Sequence, residues 1–139
     1  MDSITVSTKG AEGTGTVAAL LAPQLRPGDV VLLKGGLATG KTTFVKALAA
    51  AAGSTAVVTS PTFTIAHFYP LEQGKILHID TYRLAGIHEF RDLGLARREQ
   101  LVDQLRHVIL VLFEVGECLL DFVELLNQRL RLRQHQRAR

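Results

Sequence analysis

A glycine-rich segment in the first third of the chain has the residue types and spacing of a phosphate-binding loop. Residues 35–42 read G-G-L-A-T-G-K-T, a full match to the pattern G-x-x-x-x-G-K-[ST]. Gly35 and Gly40 let the backbone turn so that successive N–H groups point at phosphate oxygens. Lys41 would supply a full positive charge to the β- and γ-phosphates, and the hydroxyl of Thr42 could ligate Mg²⁺. The segment therefore predicts a site for a nucleoside triphosphate.

The elements on either side of this loop are the ones that such a loop requires. Residues 29–34 read D-V-V-L-L-K, which is typical of a buried parallel strand. Residues 42–52 are rich in alanine and predict a helix closed by Gly53. The alternative is a glycine-rich turn that contains a lysine by chance. The predicted strand and helix on either side of the loop argue against it. The expected nucleotide contacts are Gly35, Gly36, Leu37, Ala38, Thr39, Gly40, Lys41, Thr42 and Thr43.

Two acidic residues stand at the ends of predicted strands, where a phosphate-binding loop needs a carboxylate to hold its metal. Asp80 ends the strand 75–79, and the carboxyl end of a strand lies at the rim where α/β sheets bind ligands. Glu114 directly follows 107–113, H-V-I-L-V-L-F, the strongest buried-strand pattern in the chain. We expect Asp80 to hold the metal and Glu114 to position the attacking water or a metal-bound water. A turn-capping aspartate and a solvated glutamate are the structural alternatives.

The remaining pattern predicts a single-domain α/β P-loop NTPase, with a mostly parallel central sheet flanked by helices and with an antiparallel hairpin. The hairpin is predicted from alternating residues on both sides of the turn 71–74. The last segment, from Leu119, fits either a helix or two short strands, and we favour the strands. The other expected elements are an edge strand at 4–7, a helix over 12–25, hairpin strands at 63–69 and 75–82, and short helices over 87–95 and 96–105.

Composition and charge limit the class of protein. The 139 residues, 47% hydrophobic and 21% charged, fit one globular domain. A single cysteine, Cys118, excludes an internal disulfide and any multi-cysteine metal site. Without a secretory signal pattern or an apolar stretch suited to a membrane span, we expect a cytoplasmic protein with no membrane contact. The five histidines show no metal spacing and are expected to be surface or hydrogen-bonded core residues, with His78 on the strand face of Asp80.

The positive net charge of +3 comes from the C-terminus. Residues 129–139 contain five arginines and no acid, whereas residues 1–128 carry 11 basic and 13 acidic side chains, a net charge of −2. We therefore divide the chain into an ATPase domain, 1–128, and a basic tail, 129–139. Three roles stay open for the tail: contact with RNA, contact with an acidic partner, or solvation by water alone.

Several short motifs, taken in order, resemble the TsaE (YjeE) family. They are residues 35–42, S-P-T-F-T at 60–64, H-I-D-T-Y-R-L at 78–84, and Glu89-Phe90 with L-G-L at 93–95. The resemblance spans roughly residues 29–117 and is more specific than the phosphate-binding motif alone. It implies a small P-loop ATPase that acts in bacterial synthesis of N6-threonylcarbamoyladenosine at position 37 of tRNA. It also implies ATP, Mg²⁺, the partner proteins TsaD and TsaB, and tRNA reached through that complex.

The resemblance also implies roles for single residues. Lys41 and Thr42 would bind phosphate and Mg²⁺, Asp80 the metal, and Thr62 would sense the γ-phosphate from the 60–64 segment. Glu114 matches the family's acid after the late strand, so Lys41, Asp80 and Glu114 form the expected catalytic set, and Thr42, Asp80 and Glu114 the expected metal set.

The chain departs from the family pattern in the loop and after the late strand. The family's loop usually reads G-D-L-G-A-G-K-T, whereas Gly36, Ala38 and Thr39 stand here in place of Asp, Gly and Ala. The phosphate motif accepts any residue at these positions, so binding should survive. Val115 replaces the family's Trp, and the chain contains no tryptophan, so a ring contact beside Glu114 is missing.

Three other functions remain in competition. The first is a nucleotide-sensing adaptor with negligible hydrolysis, favoured by the departures at Gly36 and Val115. The second is a small metabolite kinase, for which Arg91, Arg97 and Arg98 could form a lid, although the chain is short for a substrate domain. The third is a GTPase-like switch, which the chain favours least because it lacks an N-K-x-D motif.

Overall fold

The computed structural model describes residues 3–36, 38–61 and 66–80, and the backbone of 108–114. Predictions for 87–95, 96–105 and the segment from Leu119 lie outside these ranges. The described elements are helix α1, Gly10–Leu21; strand β1, Val30–Lys34; helix α2, Lys41–Ala51; strand β2, Ala66–Pro70; strand β3, Lys75–Asp80; and strand β4, Val108–Glu114.

The four described strands form one sheet in the order β1-β4-β3-β2. β4 pairs in parallel with β1 on one side and with β3 on the other, and β2 pairs antiparallel with β3. The α/β class and the hairpin are therefore confirmed; the predicted strand residues 63–65, 81 and 82 lie outside the described ranges. A mostly parallel sheet for the whole chain stays a prediction, because these strands are only part of it.

Proline and glycine set the boundaries of the elements around the loop. Pro23 lacks an N–H, and the chain changes at Ala22 from the α-helix predicted over 12–25 to a 3₁₀ turn, Ala22–Gln24. Pro27 and Gly28 then make a turn that starts β1, with Gly28 at φ 97°. The N–H of Asp29 donates to the carbonyl of Arg26 at 3.0 Å.

The C-terminus of α2 is closed by Gly53, as the sequence predicts. Gly53 has a φ of 93°, its N–H donates to the carbonyl of Ala50, and the N–H of Ser54 donates to the carbonyl of Ala49 at 2.9 Å. These two hydrogen bonds satisfy carbonyl groups that have no partner within the helix at its C-terminal end. A glycine therefore lies at each end of the helix, because Gly40 precedes its first residue.

The core lies between the two helices and the hairpin. It contains Ala18, Ala22, Val45, Leu48, Ala49, Val58, Tyr69 and Ile76. Leu20 of α1 is 67% exposed, whereas the small Ala18 and Ala22 are buried in this core. β3 also differs from simple alternation: Ile76 to Ile79 are all buried, because both of its faces are covered.

The predicted edge strand at 4–7 is wrong. Residues 3–9 lie in neither a helix nor a strand, and Ile4 and Val6 are 89% and 58% exposed. Alternation over four residues is compatible with a strand but supplies no pairing partner, and none of the described strands pairs with this segment. Among the described helices, none is long and apolar enough to cross a bilayer.

Candidate nucleotide-binding site

The loop between β1 and α2 has the backbone shape that its glycines permit. Gly40 precedes the first residue of α2 with φ 97° and ψ 13°, a left-handed conformation that glycine adopts without steric cost. Ala38 is also left-handed, at φ 58°. A side chain makes that conformation unfavourable by about 1–2 kcal/mol, and such strained positions cluster at functional sites.

Two side chains of the loop donate hydrogen bonds to the loop's own backbone. The ammonium of Lys41 donates to the carbonyls of Gly35 and Gly36, each at 2.7 Å. The hydroxyl of Thr39 donates to the same carbonyl of Gly36 at 2.8 Å. Lys41 therefore holds its charge over the loop, and these hydrogen bonds keep the loop curved.

The first turn of α2 is suited to an anion. The first N–H groups of any helix have no acceptor within the helix, and here Gly40 offers no side chain to cap them. No acidic residue lies in that turn. The positive end of the helix dipole is therefore open to a negative ligand beside Lys41.

The parallel strands bring both predicted acids to the edge of the sheet from which the loop leaves. Lys34 at the end of β1 pairs with Glu114, and Phe113 pairs with Asp80. Since β4 lies between β1 and β3, Asp80 is about two strand spacings, roughly 10 Å, from β1. The side chain of Asp80 is half-buried and shares a sheet face with Ile76, which packs into the core with α2. For Glu114 the structure describes only the backbone.

A cavity of about 370 Å³ adjoins the outer side of the loop. Four of its lining residues carry hydroxyl groups: Thr8 before α1, Thr14 on α1, Thr39 on the loop and Thr43 on α2. The other lining residues are Gly10, Ala11, Ala38 and Gly40. Its size falls in the range of small-molecule sites, and its lining is polar and uncharged.

A second polar cluster lies inside the sheet, around the hydroxyl of Tyr69. That hydroxyl donates to the carbonyl of Thr59 at 3.0 Å and lies 3.2 Å from Nδ1 of His78 and 3.3 Å from Nδ1 of His67. His78 is completely buried, as expected for a hydrogen-bonded core histidine. Burial, and to a smaller extent the nearby His67, lowers the pKa of His78 to about 4. Burial raises the pKa of Tyr69, so its hydroxyl stays protonated.

The residues at the sheet edge fit a magnesium ion that arrives with a nucleotide. Among the described residues, no three acidic, histidine or cysteine side chains form a cluster that would hold a metal by themselves. Mg²⁺ is usually bound through one or two carboxylates together with substrate phosphates. Asp80 and the hydroxyl of Thr42, the second residue of the helix that begins at the loop, are oxygen donors of the kind that such a site uses.

Comparison with known proteins identifies the family of this chain. The model of the family described as "Threonylcarbamoyl adenosine biosynthesis protein TsaE" matches residues 8–138, which is nearly the whole chain. The chain belongs to the TsaE family. The resemblance seen in the sequence motifs is thereby confirmed.

Individual relatives agree with the family match. The chain is 37% identical over 123 residues to the tRNA threonylcarbamoyladenosine biosynthesis protein TsaE of Bacillus subtilis, covering 88% of this chain and 68% of that protein. It is 44% identical over 116 residues to the protein of the same name from Streptomyces coelicolor, covering 81% and 72%. A crystal structure of Bacillus subtilis YdiB superimposes with a TM-score of 0.54 at 34% identity, covering 76% of this chain and 60% of that one.

Not every residue expected from the TsaE resemblance is described. Leu37, Thr62 and Val115 lie outside the described residues, as does the side chain of Glu114. At Gly36 a Cβ atom would meet only the methyl group of Thr39, at 3.9 Å. The described part of the loop therefore leaves room for a Cβ atom at this position.

Sequence reasoning missed two parts of the site in this TsaE-family chain: the contribution of α1 to the cavity beside the loop, and the cluster around Tyr69. The cluster had a usable signal, because a turn at 71–74 pairs His67 with His78 and places Tyr69 on the same face. No sequence signal could have predicted the approach of α1 to the loop, because it depends on how the two helices pack.

Proposed function

We propose that this chain binds Mg-ATP at the loop 35–42 and hydrolyses it as an accessory ATPase in the synthesis of threonylcarbamoyladenosine in tRNA. The observation that carries the proposal is the geometry of the loop: the Lys41 ammonium lies over a curved backbone at an uncapped helix N-terminus. Such a combination is a ready anion site.

The residues of the site would divide the work by their chemistry. The loop and Lys41 would hold the phosphates, and Thr42 with Asp80 would hold Mg²⁺. Glu114, at the end of β4 between β1 and β3, would be the second acid of the site. When bound, the metal would neutralise charge that develops on the phosphate oxygens. The hydroxyl-lined cavity between the loop and α1 is large enough for the rest of the nucleotide.

The pathway part of the proposal is supported by the family. Its model and the relatives from B. subtilis and S. coelicolor carry threonylcarbamoyladenosine biosynthesis in their names. TsaD and TsaB are proposed as partners, tRNA as reached through them, and the cytoplasm as the compartment. These details come from the resemblance of the motifs.

The first experiment measures ATP turnover with Mg²⁺, for the chain alone and after addition of TsaD and TsaB. Lys41→Ala removes the charge over the loop and should lower turnover by at least 100-fold, since phosphate positioning and charge stabilisation are the main protein contributions to phosphoryl transfer. Lys46→Ala is the matched control, because Lys46 is exposed on the same helix α2. Its turnover should stay within about twofold of the wild type.

Each result separates the candidate functions. Turnover that rises with the two partners and is lost only in Lys41→Ala supports the ATPase. Tight ATP binding with no turnover, with or without the partners, would instead support the nucleotide-sensing adaptor, which the Gly36 and Val115 departures favour. Turnover that is indifferent to the partners would contradict the pathway assignment.

A further inference from the structure

The hydroxyl of Tyr69 joins three segments of the chain and has no part in the phosphate chemistry proposed above. Tyr69 is 2% exposed and lies on β2. Its hydroxyl contacts the backbone of Thr59 in the segment after α2, the ring of His78 on β3 and the ring of His67 on its own strand. A buried hydroxyl with three partners holds those partners at fixed separations.

The directions of these hydrogen bonds follow from the donors available. A tyrosine hydroxyl has one proton, and the carbonyl of Thr59 can only accept, so the proton points to Thr59. A ring nitrogen that bonds the phenolic oxygen must then donate, which assigns a proton to Nδ1 of His78. Nδ1 of His67 lies within reach of two oxygens, the phenolic oxygen at 3.3 Å and the hydroxyl of Thr59 at 3.5 Å. The Thr59 segment and the two rings therefore meet at the hydroxyl of Tyr69.

The carbonyl that Tyr69 holds belongs to the segment leading into β2. Val58 and Pro61 on either side of it are buried, so this stretch lies against the sheet. β2 starts at Ala66, which pairs with Ile79, the residue before Asp80. The chain therefore enters the hairpin at the Asp80 end, only a few residues after Pro61.

We propose that Tyr69 is a positioning residue of the nucleotide site. Its hydroxyl holds Thr59–Pro61 on the sheet face that carries His78 and, two residues further, Asp80. Without that bond, the segment that leads toward the Asp80 end of the hairpin would lose one of its attachments to the sheet. This inference rests on the proposed function, because the site that Tyr69 serves is the Mg-nucleotide site.

The test compares Tyr69→Phe, which keeps the ring and removes the hydroxyl, with Ile76→Val. Ile76 pairs with Tyr69 across the hairpin and is fully buried, so the control weakens packing at the same place without removing a hydrogen bond. ADP affinity is measured with Mg²⁺ and with EDTA. We expect Tyr69→Phe to reduce the ratio of the two affinities at least fivefold while affinity in EDTA changes less than twofold. Ile76→Val should keep the wild-type ratio.

A nucleotide-free readout separates this inference from the proposed function. Hydrogen exchange of the backbone amides in 54–60 should become at least tenfold faster in Tyr69→Phe than in Ile76→Val, because only the former removes a bond that attaches this segment to the sheet, so that its amides open to solvent more often. Unchanged exchange, or a ratio that falls equally in both variants, overturns the inference. A wild-type chain that binds no ADP overturns the proposed function and, with it, any role of Tyr69 at that site, whatever the exchange shows. If Tyr69→Phe does not fold, His67→Leu replaces it, with the same direction but a smaller change expected, because it removes the contacts of the His67 ring with the hydroxyls of Thr59 and Tyr69.

Discussion

Gly35 and Gly36 are adjacent in the loop but have opposite steric surroundings. A Cβ atom on Gly35 would lie 2.6 Å from the hydroxyl oxygen of Thr39, which is held by its bond to the carbonyl of Gly36. On Gly36 the nearest atom would be 3.9 Å away, an ordinary contact. The first glycine is therefore required by close packing within the loop, whereas the second is not required by space.

Gly35→Ala is expected to weaken ATP binding about 5- to 10-fold, because the added methyl group displaces the Thr39 hydroxyl and one hydrogen bond of the loop is lost. Gly36→Ala is the control and should bind within about twofold of the wild type. Titration calorimetry with ATP and Mg²⁺ measures both. Equal weakening in the two variants would show that the Thr39 contact does not shape the loop.

The buried His78 gives the fold a pH dependence. Its folded-state pKa of about 4 lies below the ordinary value of 6.5, so between these values the unfolded chain binds the proton and the folded chain does not. Stability should therefore be full above about pH 6.5 and fall as the pH drops toward 4, by about 3 kcal/mol for this group. Two titratable side chains, His67 and Tyr69, lie beside it.

Urea unfolding of the wild type and His78→Asn between pH 4 and 7 measures this effect. The wild type should lose more unfolding free energy across the range than the variant, since asparagine does not titrate. Parallel pH curves for the two proteins would mean that His78 is not the group responsible.

At the scale of the element, α1 is a helix with glycines inside its first two turns. Gly13 and Gly15 each weaken a helix interior by about 0.5–1 kcal/mol relative to alanine. Their surroundings differ: a Cβ atom on Gly15 would meet that of Ala47 on α2 at 3.5 Å, but on Gly13 it would meet Cβ of Thr8 at 2.9 Å. The packing of α1 thus tolerates a side chain at one site and not at the other.

Gly15→Ala should raise the free energy of unfolding by about 0.5–1 kcal/mol, since it adds helix propensity and fills the contact with α2. Gly13→Ala should gain less or lose stability, because the segment containing Thr8 must shift. Urea denaturation followed by circular dichroism compares them. The same gain in both would show that Thr8 moves freely away from the helix.

At the scale of the whole molecule, charge is divided unevenly along the chain. The body, 1–128, has a net charge of −2, and the tail, 129–139, carries five arginines. If those arginines meet tRNA phosphates, removal of 129–139 should lower tRNA affinity and reduce the slope of log affinity against log salt, because fewer counterions are released. Filter binding at several salt concentrations measures the slope. An unchanged slope assigns the tail no role in RNA binding.

The sequence by itself determined the parts of this protein that depend on neighbouring residues. The loop with its strand and helix, the Gly53 helix end and the hairpin turn could all be predicted, because glycine conformation, capping and short-range alternation are local properties. The TsaE family could be recognised for the same reason, since its motifs are short and ordered along the chain. The roles of Thr62 and Glu114 stay predictions from that resemblance.

Tertiary structure alone decided what depends on distant partners. The strand predicted at 4–7 does not form, because a strand needs a neighbour that alternation cannot supply. The order β1-β4-β3, which brings Asp80 and the Glu114 backbone to the edge of the sheet beside the loop, depends on pairing between strands far apart in the chain. The bond from Tyr69 to Thr59 joins β2 to the segment after α2, so its energy appears only when that segment packs against the hairpin.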